Sequence, residues 1–514
     1  VALGDIVRRS ARKSPRKVAI VDGARRATYA ELDADVSRFA NALLARGLQR
    51  GDRIATLCAN SYEYAVAHFG IQRAGLVWLP INQNLAPADV AWIVGHAEPR
   101  LAVIDDALYA GPLGPVIDER VGDAIVVRRD PSLSSRRPSF DDELARGSAQ
   151  EPEVAIGDHD LAQIMYTSGT TGNPKGVMHS HLSVFSALMA NVIDYEIRAS
   201  DVSNAMLPMF HCAQDTLVIS VLAVGGTVVM MRSVDPGELL RTIAREKITL
   251  ALTLPPIYSA LLDHPARAEA DLSSLRLCIY GMMQVPEPIL RRLIAEICPN
   301  FQLGSGQTEM YPCTVTFKPA EQLRRIGPYW GDSTIATETA IMDDDGRLLP
   351  DGEIGEIVHR GPNVMLGYYK DPEATERSRA FGWHHTGDLG FFDPDGQLVF
   401  TDRKKDMIKT GGENVPSIKV ERALLSHPAV LNAAAIGLAH PRWFEAVTGV
   451  VTLKPGMHAS EEELLAHCRS QLSGFETPKA VCVVDQFPLT ATGKIQKNQL
   501  RERFAALYAE VAAP

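Results

Sequence analysis

A chain of 514 residues is longer than one hydrophobic core usually organises, so at least two domains are expected. Apolar residues at 46% and charged residues at 22% match an ordinary globular protein and exclude collagen-like, disordered and membrane-embedded classes. A net charge of -10 with no offsetting basic stripe argues against a nucleic-acid partner.

The opening VALGDIVRRSARKSPRK alternates apolar and basic residues without a long apolar run, so no secretory signal is expected. Thr28-x-x-Glu31 reads as a capping box, followed by Leu32, Val36, Phe39 and Leu43 at helical spacing and closed by Gly47. A short run from Arg53 to Leu57, a helical pattern from Ser61 to Ala74 and a run from Val77 to Pro80 follow. The alternation resumes at Thr227, through a helix from Pro236 to Glu246 and the strand ITLALT, to a further pair ending at Cys298. Alternating strands and helices imply a largely parallel sheet covered by helices. From about Gly327 the pattern changes to short strands broken at Asp345-Gly346, Asp351-Gly352 and Asp395-Gly396, a hairpin-rich finish to the large domain.

Beyond Arg403 an α+β pattern predicts a helix near Lys419 to Ser426, strands near Val430 to Gly437 and Val447 to Leu453, and a helix after Ser460. The expected division is a large α/β domain over residues 1–402 and a small domain over 403–514. No stretch approaches 18 uninterrupted apolar residues, so no transmembrane segment is expected. The cysteines Cys58, Cys212, Cys278, Cys298, Cys313, Cys468 and Cys482 are scattered and never spaced C-x-x-C, which fits a reducing, cytoplasmic compartment.

Between a strand-like stretch, LAQIMY, and a helix-like one lies Tyr166-Thr167-Ser168-Gly169-Thr170-Thr171-Gly172-Asn173-Pro174-Lys175-Gly176. Glycines let backbone N–H groups approach an anion, hydroxyls add donors and Lys175 adds a point charge, a combination suited to polyphosphate. It is not the Walker pattern, because no Ser or Thr follows the Gly-Lys at the required spacing. A plain turn would explain any one short glycine-rich loop, but this string is long and unusual in composition.

Further motifs follow in order: Gln307-Thr308-Glu309, Gly352-Glu353-Ile354-Gly355-Glu356-Ile357, Gly367-Tyr368-Tyr369, Thr386-Gly387-Asp388, Asp402-Arg403-Lys404-Lys405-Asp406, Gly411-Gly412-Glu413-Asn414 and Thr492-Gly493-Lys494-Ile495. Together with the phosphate-loop string they resemble the adenylate-forming superfamily of acyl-CoA synthetases, luciferases and peptide-synthetase adenylation domains. The resemblance implies a large N-terminal domain of doubly wound α/β subdomains plus a β-rich subdomain, followed by a small mobile α+β domain hinged near Lys405. It also implies a two-step reaction in which a carboxylic acid is activated with ATP and Mg2+ to acyl-AMP and then passed to CoA.

By the same resemblance Lys494 bridges carboxylate and α-phosphate, Thr308 donates to that phosphate and Glu309 holds Mg2+. Asp388 and Arg403 take the ribose, Gly281, Ser305, Gly306 and Gln307 line the nucleotide, and Gly411 and Gly412 face the thiol. Physically, attack on the α-phosphate gathers negative charge at phosphorus, so cations and donors are what the protein must supply. Taken singly, Asp388 would be a turn aspartate and Lys494 a solvated lysine. His211, in Pro208-Met209-Phe210-His211, stands where the family places an aromatic or histidine beside the acyl carboxylate. His211-Cys212-Ala213 lacks the aspartate that amino-acid-activating relatives carry near there. The apolar helical run from Thr216 to Val224 suits a wall for an uncharged acyl or aryl tail. His179 and His181 have no carboxylate or cysteine at ligand spacing, so zinc is not expected.

The chain also departs from the family. Ser305 replaces a usual adenine-stacking tyrosine, with Tyr280 the candidate substitute. Pro416 and Lys419 interrupt the pattern after the glycine pair, and Glu476 replaces a usual lysine. Lys419 and Glu476 therefore suggest a swapped ion pair on the thiol side. A carrier-protein or amine acceptor, and a nucleotide-binding protein without turnover, are the alternatives.

Overall fold

Thr28 starts the helix Tyr29–Ala45 by the reciprocal bonds its sequence offers: its hydroxyl accepts from the Glu31 N–H, and the Glu31 carboxylate accepts from the Thr28 N–H. The cap is worth about 1 kcal/mol. Leu32, Val36, Phe39 and Leu43 are wholly buried, and each contributes about 1.5–3 kcal/mol on burial, so packing rather than capping holds the helix. Phe39 stacks on Phe140 at 4.6 Å.

The computed structural model describes residues 1–133, 135–167, 174–281, 284–489 and 495–509. It divides into two compact units. The first comprises Val1–Thr167, Pro174–Thr339 and His359–His384; the second holds Ala340–Val358 and the described residues from His385 onward.

The first unit is built on two sheets. A seven-stranded sheet runs in the order Gly367–Tyr368, Lys175–Ser180, Leu161–Thr167, Val77–Pro80, Arg53–Leu57, Leu101–Asp105 and Ala124–Val127. From Leu161–Thr167 to Ala124–Val127 neighbouring strands are parallel. The strands Leu101–Asp105 and Ala124–Val127 are buried along their whole length, as expected where helices cover both faces. In the second sheet Val18–Asp22, Thr227–Met230, Val202–Ala205, Leu250–Leu252, Leu277–Tyr280 and Phe301–Ser305 lie parallel in that order. Val315–Phe317 and Tyr329–Ser333 extend it antiparallel. This is the mixed α/β architecture the alternating pattern implied.

In the second unit His384–Phe392 pairs antiparallel with Leu398–Arg403. Gly346, Gly352 and Gly396 take positive φ at the Asp-Gly turns. A five-stranded sheet places Glu413–Val415, Ile408–Thr410, Phe444–Leu453 and Val430–His440 in order, with Ala480–Val483 parallel to Phe444–Leu453. The helices Ser417–Leu425 and Glu461–Arg469 pack on it around Val420, Leu424, Val447, Val451 and Leu464. Among the described residues no helix is long and apolar enough to cross a membrane.

Several buried imidazoles are held neutral. Burial pushes His68 and His359 down to about 3, and His179 and His181 down to about 4. A histidine whose folded pKa lies below its unfolded value of about 6.5 contributes stability above that value and loses it as pH falls. Asp215, pushed up by burial to about 8, acts in the opposite sense, as do Asp105, Asp194 and Asp402, whose carboxyls burial also raises, but carboxylates held low by their bonds, Asp160, Asp201, Glu356 and Asp406 among them, add to the histidines. The thermal midpoint should therefore drop as pH falls from 6.5 toward 4, with a shallower slope in His359→Asn. A flat or inverted slope in the parent chain would contradict this assignment of charge states.

Candidate active site

The phosphate-type string is flanked by two antiparallel strands, not by the strand and helix its sequence suggested. Thr167, at the end of Leu161–Thr167, pairs directly with Lys175, the first residue of the antiparallel strand Lys175–Ser180. The helix begins only at His181. Ser168, Gly169, Thr170, Thr171 and Gly172 lie outside the described residues. The Lys175 ammonium sits 4.8 Å from the centre of the Tyr368 ring, and the Tyr368 hydroxyl donates to Glu309 Oε1 at 2.9 Å. Burial and the neighbouring Glu309 carboxylate raise the Tyr368 pKa, so it stays a donor. One aromatic side chain thus links the base of the loop to the Thr-Glu motif.

Thr308 and Glu309 lie in a short 3-10 turn, Thr308–Met310, fastened from several elements. Buried His179, 2.7 Å away through Nε2, donates to the Thr308 carbonyl. The Met365 N–H donates to the Glu309 carbonyl at 2.8 Å, and Asn363 Nδ2 to the Met310 carbonyl at 3.1 Å. Cys212 Sγ lies 3.6 Å from the Thr308 hydroxyl. Burial raises that thiol to about 12, so it is a neutral neighbour and not a nucleophile. Asn363 and Met365 are supports that motif reading did not reach, Tyr368 stood in a motif without an assigned role, and His179 was weighed only as a zinc ligand. Only the contiguity of Gly367-Tyr368 with the other motifs pointed toward one of them.

Gly281 and Gly306 follow the carboxyl ends of two adjacent parallel strands, Leu277–Tyr280 and Phe301–Ser305, the edge at which open α/β sheets bind ligands. A Cβ on Gly281 would stand 2.7 Å from the Gly304 carbonyl, and one on Gly306 2.5 Å from the Cys313 nitrogen. Both glycines are therefore required for the chain to close on itself. Ser305 pairs with Val315, and Gln307 precedes the 3-10 turn as its cap residue. Tyr280 does not replace the missing stacking ring. It is 3% exposed, packs near Phe301, and its hydroxyl donates to Gln322 Oε1 at 2.7 Å.

His211 caps the helix Cys212–Val224, its Nδ1 accepting from the Ala213 N–H at 3.2 Å. In the neutral ring the proton therefore resides on Nε2. Asn60 supports the approach to it, donating to the Ala205 and Leu207 carbonyls and accepting from the Met209 N–H. Along the helix the buried hydroxyls of Thr216 and Ser220 turn back onto the Cys212 and Thr216 carbonyls.

In the second unit Asp388 pairs across the sheet with Arg403, the guanidinium 3.7 Å from the carboxylate. Gly387 takes φ +73, and its N–H donates to Glu356, itself gripped by Lys404 at 3.0 Å and His385 at 3.2 Å. Burial alone would raise the Glu356 pKa, but these bonds outweigh it and hold the carboxylate ionised. Gly411 and Gly412, at φ +59 and +90, make a two-residue turn between Ile408–Thr410 and Glu413–Val415. Two positive φ values define the primed turn that glycine suits. Lys419 and Glu476 form the swapped ion pair at 2.6 Å. Lys494 lies outside the described residues.

Among the described residues no group of three or more His, Cys, Asp or Glu gathers as a metal cage. Glu309, with the Thr308 hydroxyl beside it, offers the sparse oxygen donors that suit Mg2+ shared with substrate phosphates. Burial keeps the imidazole of His179 and the thiol of Cys212 beside them neutral.

A family model described as AMP-binding enzyme matches residues 7–369, and one described as AMP-binding enzyme C-terminal domain matches residues 419–494. The chain is 36% identical to a feruloyl-CoA synthase of Amycolatopsis sp, over 98% of this chain and 99% of that protein. It is 34% identical to the long-chain-fatty-acid–CoA ligase FadD13 of Mycobacterium tuberculosis, again over 98% and 99%. The crystal structure of ATP-bound MatB from Rhodopseudomonas palustris superposes with a TM-score of 0.88 at 31% identity, covering 98% of this chain and 99% of that one.

Gly306→Ala tests the strand-end geometry. The added methyl meets backbone, which cannot give way cheaply, so adenylation should fall by about 10-fold or more, a barrier increase of about 1.4 kcal/mol. Circular dichroism should show the fold retained. Wild-type turnover of pyrophosphate release in a folded Gly306→Ala would contradict the geometry described.

Proposed function

The chain belongs to the family of AMP-binding enzymes and is an AMP-forming acid–thiol ligase that uses ATP and CoA, and we propose that its acid is a monocarboxylic acid with an uncharged acyl or aryl tail. The observation that carries this reading is the Thr308–Glu309 turn tied through Tyr368 to the Lys175 strand. The helix wall after His211 carries no lysine or arginine to receive a second carboxylate. Feruloyl and long-chain fatty acyl groups, named for the two relatives, both have such tails.

In the first step a carboxylate oxygen bonds to the α-phosphorus while the bond to the β-phosphate bridging oxygen breaks, and pyrophosphate leaves with that electron pair. We assign Thr308 as hydroxyl donor to the α-phosphate. Lys175 and the loop Ser168–Gly172 take the outer phosphates, and Asp388 and Arg403 take the ribose hydroxyls. Gly281, Ser305, Gly306 and Gln307 line the nucleotide, and His211 Nε2 orients the acid. Glu309 would hold Mg2+, which would supply charge neutralisation at the phosphates. Lys494 is the cation at the reacting oxygens. In the second step the CoA thiolate bonds to the acyl carbon and AMP leaves, with Gly411 and Gly412 giving the thiol its approach.

Residues 1–402 are read as the adenylation domain and 403–514 as a mobile domain that presents Lys494 and the Gly411 turn in alternation. Seven cysteines, none bonded to another, support a cytoplasmic setting.

The two half-reactions should separate under mutation. Lys494→Ala should suppress acyl-AMP formation by about 100-fold or more, since a positioned cation contributes several kcal/mol where charge develops. It should still convert supplied acyl-AMP to acyl-CoA. Gly411→Leu should do the reverse, adding bulk at a left-handed position. Pyrophosphate release and thioester formation from synthetic acyl-AMP report the two steps. Equal loss of both in a folded Lys494→Ala would overturn the alternation.

A further inference from the structure

A buried polar cluster lies directly behind the Thr308–Glu309 turn. Tyr311 is fully buried and, though not glycine, takes φ +50 as the residue that ends the turn. Its N–H donates to the Thr308 carbonyl at 3.1 Å, and its hydroxyl donates to Asp215 Oδ2. Asp215 Oδ1 stands 3.2 Å from His68 Nδ1, and both residues are buried. The His68 ring stacks on Trp78 at 3.9 Å and on Phe69 at 4.9 Å. On its other side the Tyr311 ring meets His179 edge-on at 5.1 Å, the histidine that carries the Thr308 carbonyl. Asp215 sits one helical turn beyond His211, and its N–H donates to the His211 carbonyl at 3.2 Å. Two residues past Tyr311, Cys313 takes φ +70 and is tied to the Tyr195 hydroxyl at 2.9 Å.

Non-glycine residues in the left-handed region cost on the order of 1–3 kcal/mol each and persist only where surrounding contacts over-determine them. Here two fall within three residues, immediately after the Thr-Glu motif, each secured by a buried side-chain bond. A core that needed only filling would use apolar groups at Asp215 and His68, since burying unpaired polar atoms is costly.

We infer that Tyr311, Asp215 and His68 form a positioning network that holds the Thr308–Glu309 turn in register with the His211 helix for Mg2+·ATP. The inference rests on the reading of Glu309 as the Mg2+ ligand. None of the three residues touches the reacting atoms. With burial raising Asp215 and lowering His68, both side chains are neutral; Tyr311 is bonded to one carboxyl oxygen of Asp215, and the other faces His68 Nδ1 at 3.2 Å without a formed hydrogen bond. A neutral clamp adds no charge to compete with Glu309 for the metal.

The test uses the full chain and reads the Mg2+ concentration for half-maximal pyrophosphate release, the KM for ATP and the conversion of supplied acyl-AMP to acyl-CoA. Tyr311→Phe should raise both the Mg2+ requirement and the ATP KM by about 10-fold, leaving the thioester step unchanged. Asp215→Asn keeps an acceptor for Tyr311 and a neutral side chain beside His68, so it should stay within about twofold of the parent. A folded Tyr311→Phe with parental Mg2+ and ATP dependence would overturn the network. Should Tyr311→Phe fail to fold, Tyr311→Phe with Asp215→Leu removes both polar ends together, a change that can be nearly neutral in stability, and parental dependence in that folded double variant would overturn it equally. Glu309→Gln separates the two readings. If it leaves the Mg2+ requirement unchanged, the metal assignment falls, and the network then stands or falls on the ATP KM of Tyr311→Phe.

Discussion

The site depends on how closely two parallel strand ends approach each other. Leu277–Tyr280 and Phe301–Ser305 run side by side, and the chain beyond them has room for no side chain at Gly281 or Gly306. That closeness delivers the Thr308–Glu309 turn to the sheet's carboxyl edge, where backbone and side-chain bonds from the strand Lys175–Ser180, the segment at Asn363–Tyr368 and the helix after His211 converge on it. A phosphate site needs donors fixed before the charge arrives, because reorganising them during reaction would consume the stabilisation they provide. The backbone of the Thr308–Glu309 turn is restrained in the way such a site would need.

The second organising feature is the silence of most titratable groups nearby. His68 and His179 are pushed far below neutrality, and Cys212 and Asp215 upward, all chiefly by burial. Each then serves as a neutral donor or acceptor. Glu309 and Lys175 are connected by the Tyr368 ring and hydroxyl. In the second unit the opposite holds: Glu356 stays ionised because Lys404, His385 and the Gly387 N–H all bind it, and it thereby sets the turn that presents Asp388.

Much of this was legible in the sequence where local chemistry decides. Thr28 and Glu31 form their capping box, the Asp-Gly turns take positive φ, the run Arg53–Leu57 is a strand with the bounds read from its residues, and Lys419 meets Glu476. Two readings failed for identifiable reasons. The stretch after Lys175 is only six residues long and shows no clear period, so it was taken with the following helix, whereas pairing to Leu161–Thr167 makes it a strand. Tyr280 was a candidate stacking ring because it stands where a glycine is common in the family, yet its side chain alternates into the core and finds Gln322. Roles that depend on partners far along the chain, such as His179 with Thr308 across 129 positions or Asp215 with Tyr311 across 96, leave no local signal at all.

The chemistry assigned to this crevice makes one atom's path decisive. If the acid attacks the α-phosphorus, one carboxylate oxygen must remain on AMP when CoA displaces the acyl group. Turnover with an 18O-labelled monocarboxylic acid, ATP and CoA, followed by mass analysis of the nucleotide, reads that transfer directly. The account requires one labelled oxygen in AMP for each acyl-CoA formed; label appearing in inorganic phosphate, with ADP as the nucleotide product, would contradict it.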